Sequence, residues 1–144
     1  MADIVRVSVA SDGSEANGSS DNPAMSADGR FVAFSSDASN LVPMDTNNER
    51  DVFVHDRKTG TTERVSVASD GSEVYGASNE TAISEDGRFV VFVSAASNLV
   101  PEDNNGTSDI FVRDRATGVT ERISVASDGT EANGGSSYPS MSTD

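Results

Sequence analysis

The chain has 144 residues and a formal net charge of −14 at pH 7; 35% of its residues are hydrophobic and none is cysteine. Its length predicts one domain, residues 1–144, and the absence of cysteine excludes both a disulfide framework and thiolate metal sites. Because so acidic a surface repels nucleic-acid phosphates and anionic lipids, we expect neither a nucleic acid nor a membrane as a partner.

An internal repeat of 58 residues organises the chain. Residues 6–63 align without a gap on residues 64–121, and 38 of the 58 positions are identical. A third, partial copy occupies residues 122–144. A repeating unit of about this size that contains four short strands is typical of a β-propeller blade.

The first half of each copy predicts a hairpin. In the first copy its strands are predicted at 23–26 and 31–35, with a turn at Asp28 and Gly29 between them. Glycine suits this position because a tight hairpin turn needs a positive φ. The second strand is apolar at successive positions, which predicts that both of its faces are buried. The corresponding strands of the second copy are predicted at 81–84 and 89–93.

The second half of each copy predicts another hairpin. A third strand is predicted at 51–56, a turn at 57–60 and a fourth strand at 64–68. The fourth strand alternates apolar and polar residues, which is typical of an outer strand with one face in solvent. The third strand of the second copy is predicted at 109–114.

These elements together predict an all-β fold of four-stranded antiparallel propeller blades. The chain would contain about two complete blades, with split terminal strands: one outer strand before them, and an outer and an inner strand after them. A closed propeller usually has about four to eight blades, and two blades alone would leave apolar faces open to water. We therefore expect either that several copies of the chain complete a ring together, or that the chain is a fragment of a longer array.

Several segments resemble the TolB-like, PD40-type (WD40-like) β-propeller repeats. The pattern Ser-x-Asp-Gly-Arg-Phe-Val-x-Phe carries this resemblance, and so do two further stretches that are similar to a long-loop bacterial subset of those repeats; they are residues 26–34, 84–92, 38–43 and 51–57. The family typically has a proline before the Asp-Gly pair. This chain departs from that pattern with Ala27, Glu85 and Thr143.

The resemblance implies a scaffold, a protein docking surface or a gating domain attached to a peptidase. It also implies a periplasmic or secreted parent protein. The first six residues lack the apolar core of a signal peptide, so we expect a cytosolic protein or a mature or excised fragment. No apolar run approaches 18 residues, and the sequence therefore predicts no transmembrane helix.

The loop between the second and third strands is the main candidate for a metal site. Its oxygen-bearing residues at relative positions 1, 3 and 7 are Asp45, Asn47 and Asp51, and in the second copy Asp103, Asn105 and Asp109. Ca²⁺ prefers carboxylate, amide and backbone oxygens, which a short loop can wrap around one ion. The same residues also suit a polar loop in which Asp and Asn bond their own backbone. Calcium is thus one of two hypotheses for these loops, and no other cofactor is indicated.

Three further features carry chemistry. An acidic loop at 12–18 joins one blade to the next, either as a solvated connector or as part of a ligand-binding face near the central channel. Asp56 and Arg57 could form a charged pair that fixes their hairpin, as could the same residues of the second copy. His55 is the only histidine, and Arg113 replaces it in the second copy, so we expect no metal or acid–base role for it.

No catalytic motif occurs: the sequence has no nucleophile elbow, no P-loop and no histidine repeated between copies. The first hypothesis is a non-enzymatic β-propeller module that acts as a scaffold or protein-binding surface and completes a ring by self-assembly, with Ca²⁺ in the acidic loops as an added possibility. The chain itself is then the main partner. The alternatives are the propeller part of a hydrolase-type enzyme, and a designed or reconstructed repeat protein with no evolved ligand.

Overall fold

The chain folds into β-strands, as a computed structural model of it shows for residues 3–142. Thr143, which belongs to the repeated Asp-Gly pattern, lies outside these described residues. Eight strands and no helix are found between residues 3 and 142, so no helix of that region is long and apolar enough to cross a membrane. The strands are β1 Ser20–Met25, β2 Phe31–Ser36, β3 Asp51–Asp56, β4 Thr61–Arg64, β5 Ser78–Ile83, β6 Phe89–Ser94, β7 Asp109–Asp114 and β8 Val119–Arg122.

Two four-stranded antiparallel sheets contain these strands in sequence order, β1-β2-β3-β4 and β5-β6-β7-β8. In the first sheet Phe34 pairs with Phe53, and in the second Phe92 pairs with Phe111. The all-β fold with two four-stranded blades is therefore confirmed. We call the first sheet blade 1 and the second sheet blade 2.

The predicted hairpin turn forms as the sequence requires. Gly29 has a φ of 70° and Gly87 a φ of 75°, a region that L-residues with a side chain rarely adopt. Residues 32–36 of β2 are all buried, which confirms that this strand is covered on both faces. The strand before the turn is longer than predicted, because β1 begins at Ser20 and continues through a bulge at Asn22, whose φ is 49°.

The fourth strand lies earlier than the predicted range 64–68. Pairing with β3 starts directly after the turn at Gly60, so that β4 is Thr61–Arg64. The chain then leaves the ladder, because the backbone N–H groups of Val65 and Ser66 both donate to Val52 O, at 2.8 and 3.4 Å. Residues 65–67 are buried rather than half-exposed. They form the start of the connection to blade 2.

The split terminal strands predicted at the two ends are not formed in the described part of the chain. No strand precedes Ser20 or follows Arg122 between residues 3 and 142; isolated bridges join Val9 to Glu15 and Val125 to Glu131. The internal segment that follows β4 behaves in the same way, with only an isolated bridge between Val67 and Glu73, although it lies between the two blades. The chain leaves the ladder after the fourth strand of each blade, so these residues form connections rather than outer strands.

The main core lies between the two blades. Blade 1 contributes Val52 and Val54, and blade 2 contributes Val90, Phe92 and Phe111, all of them at most 1% exposed. A smaller cluster covers the opposite side of blade 1, where Phe34, Phe53 and Leu41 pack together with Ala16 from the N-terminal segment. The residues that join the blades thus come from different repeat positions, since Val52 and Val54 correspond to Ile110 and Val112 in blade 2, and each blade has one face that packs on the blade before it and another that packs on the blade after it.

Candidate functional site

The contact between the blades is specific at its rim. The Phe31 ring of blade 1 lies against Gly87 of blade 2, and the Arg115 guanidinium of blade 2 stacks on the same ring at 4.5 Å from its centroid. Arg115 also donates from Nε to the Glu63 carboxylate at 2.6 Å. A cation over an aromatic face and a charged hydrogen bond together fix the register of the two blades.

On the side of blade 2 that faces away from blade 1, two apolar residues are exposed whose counterparts one repeat earlier are buried. Val65 and Val67 are 1% and 7% exposed, whereas their counterparts Ile123 and Val125 are 47% and 41% exposed. We call this surface the trailing face. Its members are Phe89, Val112, Val119, Glu121, Ile123 and Val125.

Blade 1 is exposed on the side that corresponds to the side of blade 2 covered by blade 1. Ile83 on β5 is 9% exposed because it packs against blade 1, whereas its counterpart Met25 on β1 is 60% exposed. Arg57 corresponds to Arg115, and donates to Gly29 O at 2.7 Å. We call this surface the leading face, and define it by Met25, Gly29 and Arg57. The chain therefore presents at its two ends the two halves of the contact that it makes internally.

The acidic loop of blade 1 closes around an arginine. The Arg64 guanidinium lies 3.0 Å from the Asp45 carboxylate, 3.2 Å from that of Asp51 and 2.9 Å from that of Glu73, and its side chain is 8% exposed. Asn47 donates from Nδ2 to Asp51 at 2.9 Å. Asp45, Asn47 and Asp51 are thus brought together as the sequence predicts, but Arg64 occupies the space between the carboxylates.

Blade 2 repeats this cluster around Arg122. Its guanidinium lies 3.1 Å from Asp103, 3.7 Å from Asp109 and 2.8 Å from Glu131, and Asn105 donates to Asp109 at 2.7 Å. Two conserved features between the copies signal this arrangement in the sequence, namely the arginine that opens each repeat and the glutamate nine residues after it. Neither residue is part of the predicted loop, and sequence reasoning missed both.

Each cluster has an excess of negative charge. Three carboxylates surround one guanidinium, and burial raises the pKa of Asp45, and likewise that of Asp103, although the arginine acts in the opposite direction. The Nε atoms of Arg64 and Arg122 are buried without a hydrogen-bond partner in the region 3–142. No group of three or more His, Cys, Asp or Glu side chains within that region is arranged to hold a metal ion. The calcium hypothesis stays a prediction.

The acidic loop at 12–18 is tied down by hydrogen bonds. The Asp12 carboxylate accepts from the backbone N–H and the hydroxyl of Ser14, at 2.9 and 2.6 Å, and these bonds lower the pKa of Asp12. Asn17 N–H donates to Asn40 Oδ1 at 2.9 Å. The loop is therefore a connector that reaches the loop of the next blade.

The predicted charged pair between Asp56 and Arg57 does not form, so this prediction is wrong. Asp56 instead accepts two hydrogen bonds from Arg30, at 3.0 and 2.7 Å, and they hold the pKa of Asp56 well below its ordinary value. Asp56 ends β3 opposite Phe31 and therefore beside Arg30, whereas Arg57 begins the turn and its guanidinium donates to Gly29 O. His55 is buried against the Thr62 hydroxyl at 2.9 Å, and burial lowers its pKa.

Open grooves recur at matching positions of the two copies. One of about 340 Å³ lies over Leu41, Val42 and Pro43, and one of about 530 Å³ lies over Leu99 and Val100. Their rims carry serine and aspartate side chains from the blade connectors and an asparagine from the loop that follows β2 or β6.

Comparison with known proteins gives matches among solved structures. No protein-family model matches the sequence, and no curated protein matches it. The chain is similar to TolB from Acinetobacter baumannii, at 21% identity and a TM-score of 0.47 over 78% of this chain and 22% of that chain. A protein assigned as TolB from Agrobacterium tumefaciens has 18% identity and a TM-score of 0.48 over 72% and 29%. An oligogalacturonate lyase in complex with manganese has 16% identity and a TM-score of 0.42 over 75% and 23%.

Two of these three structures are TolB proteins. TolB proteins are thus among the structural neighbours of this chain. The chain spans less than a third of the length of each of the three proteins.

Proposed function

We propose that this protein is a non-enzymatic β-propeller module that binds further blades, supplied by other copies of the chain, and thereby forms a ring-shaped scaffold. One observation carries the proposal. Ile123 is 47% exposed on blade 2, whereas Val65, at the same position of the preceding repeat, is 1% exposed because blade 2 covers it. The trailing face therefore exposes apolar residues at repeat positions that a following blade covers in the case of blade 1.

Hydrophobic burial supplies the driving force. Burying an exposed valine or isoleucine completely is worth about 1.5–3 kcal/mol, and Ile123 and Val125, whose counterparts Val65 and Val67 are buried, are 47% and 41% exposed. A trailing face that meets a leading face is a heterologous contact, which forms a ring when the rotation closes. Two, three or four copies would supply about four, six or eight blades, within the usual range for closed propellers.

Light scattering on a size-exclusion column tests the proposal, and we expect a discrete oligomer that dissociates on dilution. Gly29→Ala should shift it towards monomer. The equivalent Gly87 packs so closely on Phe31 that a Cβ there would lie 2.1 Å from the ring, and Gly29 would meet Phe89 of a second copy in the same way.

Gly60→Ala is the matched control. Gly60 has a φ of 77°, close to the 70° of Gly29, and a Cβ there meets nothing within 4 Å. Both variants therefore carry the same backbone strain, while only Gly29→Ala places a methyl group in the contact. A protein that is monomeric at all concentrations, or an equal effect of the two variants, would contradict the proposal.

A further inference from the structure

The connection between the blades, residues 64–77, makes two separate sets of contacts. Towards blade 1, Ser66 Oγ donates to Asp51 at 2.6 Å, and Arg64 joins the acidic cluster. Towards blade 2, Thr120 Oγ1 donates to Val67 O at 2.7 Å, and Tyr75 N–H donates to Asn98 Oδ1 at 3.0 Å. One segment thus holds the two blades together.

Each end of the chain carries a segment with half of these contacts. The C-terminal segment, residues 122–135, contacts the blade before it: Ser124 Oγ donates to Asp109 at 2.6 Å. The N-terminal segment, residues 6–19, contacts the blade after it: Thr62 Oγ1 donates to Val9 O at 2.6 Å. The C-terminal segment lacks contacts to a following blade, which are the contacts that the N-terminal segment makes. The N-terminal segment lacks contacts to a preceding blade, which are the contacts that the C-terminal segment makes.

The two terminal segments are nearly the same sequence. Residues 6–19 and 122–135 are identical at 11 of 14 positions. The residues by which the N-terminal segment reaches blade 1, including Val9, Glu15 and Asn17, recur as Val125, Glu131 and Asn133. Either segment can therefore make the same hydrogen bonds to blade 1.

We infer that copies of the chain join head to tail by a segment replacement: residues 122–135 of one copy take the place of residues 6–19 on blade 1 of the next. The N-terminal segment is then a removable cover of the leading side of blade 1. This inference rests on the proposed self-assembly and adds the identity of the segments that compete. The hydrogen bonds broken by the leaving segment are remade by the entering one, so the apolar contact between the trailing and leading faces is a net gain.

The residues after the C-terminal segment lie where β1 of the next copy belongs. Ser136 N–H donates to Ser108 O at 2.8 Å, which matches the bond from Ser78 N–H at the start of β5 to Arg50 O at 2.7 Å. Residues 137–142 form no strand in this structure, whereas β1 is paired with β2. In the joined form, β1 of the second copy therefore displaces residues 136–142 of the first.

A cross-linking experiment on the cysteine-free chain tests the replacement. Ser39 and Asn17 are exposed and in contact, since Asn17 Nδ2 donates to Ser39 Oγ at 3.1 Å. In the joined form Asn133 replaces Asn17. We expect a short bis-maleimide to convert the full-length double variant Ser39→Cys/Asn133→Cys into covalent species of two or more chains on a denaturing gel.

Two matched variants serve as controls for the cross-linking experiment. Tyr75→Cys/Ser97→Cys places cysteines at the same positions of the internal junction, so its cross-link should stay within one chain and sets the reaction yield that this geometry gives. Asn17→Cys/Ser39→Cys should cross-link within one chain and lock the cover. After this reaction, light scattering should find monomer, whereas the unreacted variant should still associate.

The outcomes separate the two proposals. An oligomer whose Ser39→Cys/Asn133→Cys variant gives no interchain product would overturn the segment replacement and leave the self-assembly standing. A locked Asn17→Cys/Ser39→Cys protein that still associates as the unlocked one does would also overturn the replacement. A chain that is monomeric in all variants would overturn both.

Discussion

The Phe31 ring in blade 1 lies against the backbone of Gly87 in blade 2, and a Cβ at position 87 would be 2.1 Å from Phe31 Cδ2. No real Cβ approaches a heavy atom that closely. Gly87 has two reasons to be glycine, its φ of 75° in the hairpin turn and the approach of the neighbouring blade. The turn that ends β5 is in this way also part of the blade-to-blade contact.

Gly87→Ala should destabilise the chain much more than Gly29→Ala does. Both substitutions place a side chain at a positive φ, which costs about 1–2 kcal/mol. Only the alanine at position 87 also overlaps the Phe31 ring, since the nearest atoms at position 29 are Arg57 Nη1 at 3.5 Å and Met25 Sδ at 3.8 Å. Overpacking of this kind adds about 1–3 kcal/mol.

Urea unfolding at a chain concentration that keeps both variants monomeric measures this difference. The midpoint should fall further for Gly87→Ala than for Gly29→Ala. Equal midpoints would mean that the blades do not pack at Phe31 as the structure has them.

Arg64→Gln should destabilise blade 1 by about 3 kcal/mol, since removing one partner of a buried charged cluster leaves the others uncompensated. The Arg64 side chain is 8% exposed among Asp45, Asp51 and Glu73. Arg6→Gln is the matched control, because Arg6 occupies the same repeat position but is 55% exposed and pairs with Glu15 alone among the described residues. An exposed pair is worth about 0–1 kcal/mol, so the control should barely change the thermal midpoint.

The calcium hypothesis has its own test in the same variants. Millimolar Ca²⁺ should raise the melting temperature of Arg64→Gln more than that of the unsubstituted protein, because the guanidinium no longer competes for the carboxylate oxygens that would bind the ion. Mg²⁺ at the same concentration controls for ionic strength. If neither protein responds to Ca²⁺, the loops containing Asp45 and Asp103 bind no calcium.

Glu73→Gln should make stability less sensitive to acid. Hydrogen bonds from the Thr46 side chain and backbone, and then from Arg64, lower the pKa of Glu73 from 4.5 to about 2. A carboxyl group whose pKa is lower in the folded state stabilises fully above its unfolded pKa, and this stabilisation is lost as the pH falls through the folded value. The unsubstituted protein should therefore lose stability between about pH 4.5 and 2 more steeply than the variant does.

Urea midpoints at several pH values across this window measure the slope. Glu49→Gln removes the same charge from an exposed loop residue and serves as the control. If Glu73→Gln and the unsubstituted protein have parallel pH profiles, Thr46 and Arg64 do not hold Glu73 ionised. Asp45 responds to acid in the opposite direction because burial raises its pKa, and since the Glu73 charge also contributes to that raised pKa, Glu73→Gln weakens this opposing response as well.

Salt should strengthen the proposed self-assembly. Each chain has a net charge of −14, so two chains repel one another. Salt screens this repulsion, because the Debye length shortens from about 30 Å at 0.01 M to about 10 Å at 0.1 M ionic strength. Sedimentation velocity over this range should show a rising oligomer fraction. A falling fraction would mean that ion pairs dominate the contact rather than apolar burial, for example a pair between Arg57 of one chain and Glu121 of another, the counterparts of Arg115 and Glu63.

The features that the sequence predicts correctly depend on local chemistry. The Asp-Gly turn before Phe31, the burial of both faces of β2 and the pairing of four strands in a blade follow from backbone φ and from side-chain alternation, which neighbouring residues determine. The bulge at Asn22 and the early start of β4 at Thr61 were missed, because the ladder with the adjacent strand determines where pairing begins and ends.

The candidate site was only half predictable for the same reason. Asp45, Asn47 and Asp51 lie in one loop, and their proximity is a consequence of their spacing. Arg64 is 13 residues from Asp51 and reaches it only because the fourth strand returns beside the third. A pattern of ligands within a loop does not reveal a cation supplied by another strand.

The division of this chain into repeated four-stranded blades follows from its residues alone, since turns and alternation are encoded within each repeat. Which of two equivalent surfaces is covered follows instead from how the blades pack. Val65 and Ile123 occupy the same repeat position in similar local sequences, yet one is buried and the other exposed. Burial depends on what packs against a residue, and that neighbour lies on another blade, outside the residue's own stretch of sequence.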